Sequence, residues 1–512
     1  MFKDFQRNQQ TMLLPDFHEV INLDDLVYLV AEVTDRLDLR SLIRRYDPLG
    51  QNAYHPRMML GLLFFAYTQK VFSSRQIADR VCYDLRFMFL CGRLQPDFRT
   101  ISDFRKNHID LLKDYFTQIV RICRTLGMAP LRKVAIDGTK IKASASPQRT
   151  LRGNALAREL AVGEAEIAMW LLQAEQADNA EEEAVENLSL KGLPVKTLAE
   201  LQALVKAAAE KLAKDPSLAK VNLTDPESRE IKGIGPGYNA QIAVDAEAQL
   251  IVAVEVTDAG NDSGQLLSMI REVEATTASE GLPKLVAADS GYASAEAFQG
   301  LAELPHIDAY VPTPRQVTKE RDGVSPFDKE HFALDPQTGT GRCPLGQPMK
   351  LQRTGMNRHG QAYHQYIGTA CGTCPMRSEC TRAKYRSVVV LDAEPLLRTM
   401  EAKTSSPPGR SASRMRKSTV EPVFGILKEQ LGFRRFHLRG LAKVRGEFAL
   451  LCSAFNLKKL HLWRKEYSVA STSLVERIRK QISQLLPGCL GFHFSALKRL
   501  MRIEQIHIIA PR

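Results

Sequence analysis

Apolar residues recur at mixed spacings of three and four through HPRMMLGLLFFAYTQKV and again through PDFRTISDFRKNHIDLLKDYFTQIVRICRTLG, so residues 1 to about 130 are predicted to be helical. Pro56 stands early in the first run, as at a helix start, and FSSRQIADRV spaces Ser73 and Gln76 as a capping box. The texture changes at Val134. Short runs rich in Val, Ile and Ala follow: VAIDGTKIKA, NAQIAVDAEAQLIVAVEVT (Asn239 to Thr257), KLVAADSGY (Lys284 to Tyr292) and DAYVP (Asp308 to Pro312), which predict strands. Helical patterns over Asp262 to Ser279 and Ser294 to Leu304 lie between them, so strands lead and helices follow, an α/β pattern. An Ala- and Glu-rich stretch within 150–232 predicts a helical insertion. A mixed region over 316–413 carries a cysteine cluster and ends in the linker-like KTSSPPGRSAS. Three parts are expected: 1–130, 131–462 with those two insertions, and a helical tail over 463–512 containing VERIRKQISQLL.

Composition narrows the class. With 44% hydrophobic and 25% charged residues in 512, the chain is globular rather than disordered or collagen-like. Its most apolar stretch, MMLGLLFFAY, is ten residues against the roughly 20 needed to cross a bilayer, and MFKDFQRNQQ has no apolar signal region; a cytoplasmic protein without membrane contact is expected. The net charge of +12 favours a polyanionic partner, and its distribution says more. Glu159 to Glu210 holds eleven acidic residues and three lysines, whereas Glu401 to Leu460 holds thirteen basic and four acidic ones. If the chain binds nucleic acid, the second segment lies along it.

Two aspartates close apolar runs: Asp137 after Val134 to Ile136, and Asp289 after Leu285 to Ala288. Beyond the carboxyl ends of strands, side chains leave the core yet stay rigidly placed, so the pair makes half a metal site. Turn chemistry competes in each case, because Asp137-Gly138 suits a hairpin and Asp289-Ser290-Gly291 suits a loop leading into a helix. A third carboxylate, Glu421, lies in STVEPVFGILKEQLGFRRFHLRG, where Val423, Phe424, Ile426, Leu427 and Leu431 form an apolar helical stripe. Ser418 and Glu421 are spaced as a capping box, but with Thr419 as cap Pro422 falls in the tolerant first turn and Glu421 is freed. Lys428 follows two turns along the same face, and Arg434, Arg435, His437, Arg439 and Arg445 come after it, as phosphate binders or as a solvated basic face.

Taken in order, VAIDGTKIKA, GYNAQIAVD, KLVAADSGYAS and STVEPVFGILKEQLGFRRFHLRG resemble the catalytic core of DDE transposases of bacterial insertion sequences, and FSSRQIADRV with PDFRTISDFR resembles their helical N-terminal domain. The resemblance covers roughly residues 15 to 462. It implies a ribonuclease-H-like mixed-sheet core with an all-helical N-terminal DNA-binding domain, and three acidic residues, mapping to Asp137, Asp289 and Glu421, that bind two divalent metals. It further implies double-stranded DNA as partner, both terminal inverted repeats and target; a homodimer is expected when DNA is bound, associated with the bacterial nucleoid. The family commonly carries a tyrosine, an arginine, the glutamate and a lysine at set spacings. Here Arg414 and Lys417 fill the first two slots, while Glu421 and Lys428 remain. Lys417, Lys428, Arg434, Arg435 and Arg439 are the expected DNA contacts, and base reading is assigned to helices around Ser73 to Asp84 or Thr100 to Lys113.

The chemistry accounts for these residue types. Phosphodiester hydrolysis needs an activated water in line with a leaving oxygen, and two magnesium ions roughly 4 Å apart stabilise both oxygens. Magnesium, or manganese in its place, takes hard oxygen ligands, which suits carboxylates. A freed 3′-hydroxyl then joins target DNA at the same site without a covalent enzyme intermediate. Cys343, Cys371, Cys374 and Cys380 lie within 38 residues with one two-residue gap, a spacing that suits structural zinc, with His364 able to replace one thiol. The other five of the nine cysteines lie in or beside apolar helical text. Two competing functions share most of these features: an inactive transposase-derived DNA-binding protein, and a ribonuclease-H-like nuclease that cuts without joining.

Overall fold

The computed structural model describes residues 16–47, 53–152, 220–277, 283–357 and 361–485, with scattered positions between 153 and 219. The N-terminal periodicity becomes helices α1 Leu26–Arg36, α2 Pro56–Thr68, α3 Ser74–Tyr83, α4 Phe98–Asn107 and α5 Leu112–Thr125. Asp25 and Asp97 cap α1 and α4 by accepting from Val27 N at 2.9 Å and Thr100 N at 2.7 Å. Ser73 stands at the N-cap of α3, but its side chain makes no capping bond, so the predicted box does not form there. Met59 to Thr68 of α2 are all buried, which explains an apolar stretch with no polar face: it is a central core helix. Among the described residues no helix is long and apolar enough to cross a membrane.

The predicted strands form β1 Lys133–Lys142, β2 Arg229–Ile231, β3 Gly235–Asp245, β4 Ile251–Thr257, β5 Leu285–Ala288 and β6 Asp308–Tyr310. In one mixed sheet β3 pairs antiparallel with β1, β2 and β4, while β5 runs parallel to β1, and β6 parallel to β5. The antiparallel strands β4, β3 and β1 continued by the parallel β5 and β6 are the ribonuclease-H-like arrangement, as expected from the sequence, and the short β2 adds to β3 beside them. The predicted helices appear as α6 Leu266–Thr277 and α7 Ala295–Ala302, the latter capped by Ser294, which accepts from Ala297 N at 3.1 Å.

The region over 316–413 is more regular than its mixed sequence indicates. Strands β7 Ala333–Asp335, β8 Thr340–Arg342, β9 Pro348–Met356, β10 Ala362–Gly368 and β11 Ser387–Leu391 build an antiparallel sheet in chain order. Its core is small: Phe332, Met349, Tyr366 and Val388.

The expected linker over 403–413 is not one. It is the corner between α8 Glu394–Ser405 and α9 Pro407–Gly425. Ser406 caps α9 by accepting from Gly409 N at 3.3 Å, and Pro407 and Pro408 fill the first turn, where no backbone donor is lost. Gly409 lets the two helices close up, since a Cβ there would lie 2.6 Å from the Thr404 carbonyl carbon. Ser, Pro and Gly therefore mark a helix start.

Glu421 is correspondingly inside α9, and neither Ser418 nor Thr419 is a cap. Pro422 removes the donor that would serve the Ser418 carbonyl, and Gln249 Nε2 supplies one instead at 3.3 Å. A π-helical turn over Ile426–Gln430 continues the helix. Helix α10, Leu441–Leu485, runs through the core and into the tail. Asn456, fully buried on it, donates to the Ile251 carbonyl at 2.8 Å and accepts from the Ile251 amide at 3.0 Å, closing part of edge strand β4. One continuous apolar core joins α1 to α5 with the mixed sheet and α10. Most of the acidic insertion expected over 150–232 lies outside the described residues; Thr150–Arg152 and Lys220–Asn222 pair at its base.

Candidate active site

The parallel register of β1 and β5 pairs Ile136 with Ala288, so Asp137 and Asp289 emerge side by side from neighbouring strands. Asp137 does not end its strand, because β1 continues to Lys142. Gly138 accordingly is no hairpin residue. It sits opposite Gln241 of β3, and a Cβ there would lie 2.6 Å from Asp262 Oδ1 and closer still to Gln241 Nε2. Its role is room for a polar cluster. Asp289 does lead from a strand into a short helical turn, Ser290–Tyr292.

Arg416 of α9, with a side chain only 9% exposed, lies against both aspartates. Its Nη1 donates to Asp137 Oδ2 at 2.6 Å, and its Nη2 is 3.8 Å from Asp289 Oδ1. Burial pushes the Asp137 carboxyl up to about 6; Arg416 and the Gly138 amide pull it down, while Asp289 and Asp262 raise it further. Burial is the largest of these influences, and Arg416 offsets it only in part.

Asp262, between β4 and α6, was not singled out from sequence. Its Oδ1 accepts from Asn239 Nδ2 and Gln241 Nε2, both at 2.7 Å, and from Lys140 Nζ at 3.0 Å. Burial opposes its charge, but these donors prevail and hold its carboxyl below the usual range. Fully buried Tyr292 donates to Gln241 Oε1, which fixes the amide orientation and aims its nitrogen at Asp262. Polar Asn239 and Gln241, two apart and facing one side of an otherwise apolar strand, are the signal that could have found this cluster.

Glu421 is on the exposed side of α9, five residues and about 7.5 Å along the axis from Arg416. Lys428, half-buried, donates to Thr139 Oγ1, two residues beyond Asp137 on β1, and burial holds its ammonium below the ordinary lysine range, partly offset by Glu429. Arg414, Lys417, Arg435 and Arg439 are exposed, while Arg434 pairs with Glu429. The segment carrying these arginines is anchored by Glu447, fully buried, which accepts from the amides of His437 and Leu438, both at 3.0 Å, and from Tyr67 of α2 at 3.4 Å.

Cys343, Cys371, Cys374 and Cys380 line one cavity at the end of the five-stranded sheet. Burial raises the Cys380 thiol, Arg386 lowers it, and the other three thiols raise it. His364 is not among the cavity's lining residues; it pairs with Asp392 at 3.1 Å. As the side chains stand, the described residues include no group of three or more His, Cys, Asp or Glu set to hold a metal ion, at this cavity or at the aspartates.

Two transposase family models match the chain. Residues 15–107 match the "Transposase domain (DUF772)" and residues 342–461 the "Transposase DDE domain". The second span includes the four cysteines, Arg416, Glu421 and Lys428 and begins after Asp137 and Asp289. The resemblance to DDE transposases drawn from sequence motifs is therefore borne out at both ends of the chain. No curated protein matches. Among solved structures, a piggyBac transposase synaptic complex with hairpin DNA is similar over 88% of this chain and 78% of that one, at 10% identity and a TM-score of 0.30. A likeness that loose adds nothing to the fold assignment, which stands on strand order and direction.

Proposed function

We propose that this chain is a DNA transposase that binds the ends of its element, cuts them in a divalent-metal-dependent reaction and joins them to target DNA. The observation that carries this reading is the juxtaposition of Asp137 and Asp289 on adjacent parallel strands with a cationic group between them. The guanidinium of Arg416 stands in for positive charge that the two carboxylates demand, and the donors are hard oxygens suited to magnesium or manganese. Asp137 and Asp289 would hold the metal, with Glu421 of α9 as the third carboxylate. Bound there, divalent metal would supply Lewis-acid stabilisation of the attacking and leaving oxygens of a phosphodiester.

The chain's own residues do the rest. Lys140, Asn239 and Gln241 keep Asp262 ionised beside the pair, so its negative charge draws a cation to the site and also raises the Asp137 carboxyl, leaving proton and metal to compete for Asp137. Asp137 must lose its proton to serve as a ligand. Lys428, tethered at Thr139, adds fixed positive charge for DNA phosphate on the same strand. Lys417, Arg434, Arg435 and Arg439 extend that charge along the DNA, while the helices around Ser73 to Asp84 or Thr100 to Lys113 read bases. The four-cysteine cavity would hold a structural zinc, supported by the donor type of the four thiols that line it.

Incubating the full chain with a labelled element end, target plasmid and magnesium tests the reading. Nicking and joining are expected. Binding without either product indicates an inactive DNA-binding protein, and nicking without joining indicates a nuclease.

A further inference from the structure

A second basic feature lies at the far end of β1. After Lys142 the chain turns through Ser144, Ser146 and the short helical turn Pro147–Arg149. The segment after α9 returns here: Phe436 N donates to the Lys142 carbonyl at 2.9 Å, and Arg435 bridges Lys142 in parallel fashion. Arg149, Arg435 and Arg439, with Ser144, Ser146 and Thr224, line one open cleft. The three arginines come from two stretches, Arg149 on one and Arg435 with Arg439 on the other, 286 residues apart from Arg149 to Arg435, so the cleft exists only in the folded chain.

Its polar groups are poised rather than used. Arg439 Nε donates to the Ser144 carbonyl at 2.9 Å, which orients its guanidinium. Among the described residues, the guanidinium groups of Arg149 and Arg435 have no ion-pair partner within 4.0 Å. The Thr224 hydroxyl is buried in the wall without a hydrogen-bond partner. Of the acidic groups nearby, Glu227 accepts from Leu441 N at 2.7 Å, and Asp225, which accepts from Tyr238 at 2.8 Å and Gly440 N at 3.2 Å, also feels the charge of Arg439, so Arg149 and Arg435 are the guanidinium groups left for a ligand. Asn222 holds the floor by donating to the Ser146 carbonyl at 2.8 Å. Arginine forks plus hydroxyl donors are the chemistry of phosphate recognition.

We infer that this cleft binds one backbone phosphate of the DNA duplex at a fixed distance from the scissile bond. The inference rests on the transposase reading for the position of that bond. From Asp137 to Lys142 is five residues of extended strand, about 17 Å, and the turn to Ser144 brings the reach to about 20 Å. With about 3.4 Å of duplex axis per nucleotide of a strand, the contacted phosphate lies roughly six nucleotides from the cut. The cleft would then act as a ruler that sets how the duplex lies across β1, independent of base sequence.

The test is a scan of element-end duplexes, each carrying one neutral methylphosphonate, against full-length wild type, Arg149→Ala, Arg149→Lys and, as a remote charge control, Arg321→Ala. Wild type and Arg321→Ala should lose affinity several-fold at one or two adjacent positions about six nucleotides from the nick. Arg149→Ala should lose that local sensitivity and show a salt slope smaller by about 0.9 per lost contact, with Arg149→Lys between them. An Arg149→Ala chain with the wild-type profile and slope overturns the cleft. If no protein nicks but the slope still falls with Arg149→Ala, the transposase reading fails and the cleft stands.

Discussion

The two candidate metal regions are built in opposite ways. Around Asp137 the sheet is part of one continuous core, and Asn239, Gln241, Asp262, Lys140 and Tyr292 satisfy one another without any ion. Around Cys343 the sheet has a core cluster of four buried side chains and a cavity lined with thiols. The first region needs no metal to fold, so a metal bound there would serve chemistry. The second has little buried surface of its own, so a metal bound there would serve the fold.

Removing ligands breaks this contrast most sharply. Asp137→Ala, Asp289→Ala and Glu421→Ala should each drop magnesium-dependent nicking to background while end binding stays near wild type; the melting temperature should hold for the more exposed Asp289 and Glu421 and fall for Asp137, whose loss leaves the Arg416 guanidinium buried without its close partner. Side-by-side gel-shift, nicking and calorimetric measurements check this, and near-normal nicking by Glu421→Ala would shift the third-ligand role to another acid, with Asp262 the structural candidate and Glu429 the nearest in sequence. Cys371→Ser or Cys374→Ser should abolish zinc in elemental analysis and expose amides of β8 to β11 to hydrogen exchange, leaving β1 and β3 protected. A normally protected, zinc-free wild type would remove the zinc proposal.

Smaller changes sharpen the comparison. Gly138→Ala should destabilise the chain by about 1–3 kcal/mol, because the added methyl overlaps Gln241 and Asp262 and forces buried polar groups apart; denaturant melts measure it. The pH dependence of magnesium binding is the mildest. Burial pushes the Asp137 carboxyl up to about 6, so if its ionised form holds the metal, affinity should fall by up to about tenfold per pH unit below that point and level off above about 7. Titration calorimetry between those limits reads it, and a flat profile would falsify the link to Asp137.

Much of the fold was legible locally. Val- and Ile-rich runs became strands, and N-terminal periodicity became helices, because burial of one face is written into residue spacing. The misreadings were at Ser, Pro and Gly. Ser406-Pro407-Pro408-Gly409 and Ser418 to Pro422 carry composition shared by linkers, helix starts and helix interiors, and the outcome depends on what packs alongside. Gly409 against Thr404 and Gln249 against the Ser418 carbonyl decided these cases. The region over 316–413 reads as mixed because its strands are polar and little buried, yet pairing in chain order makes them a sheet.

By itself the sequence determined the strand order along the chain, the two aspartates at strand positions and the basic character of the segment after Glu401, since each is a property of neighbouring residues. Tertiary structure alone decided the partners. The β1–β5 register sets Asp137 beside Asp289, α9 delivers Arg416 from 279 residues away, and Asp262 joins them through side chains of β1 and β3. Such contacts depend on which residues face each other once strands have paired and helices have crossed them, and spacing within a single segment carries no record of a neighbour supplied by another.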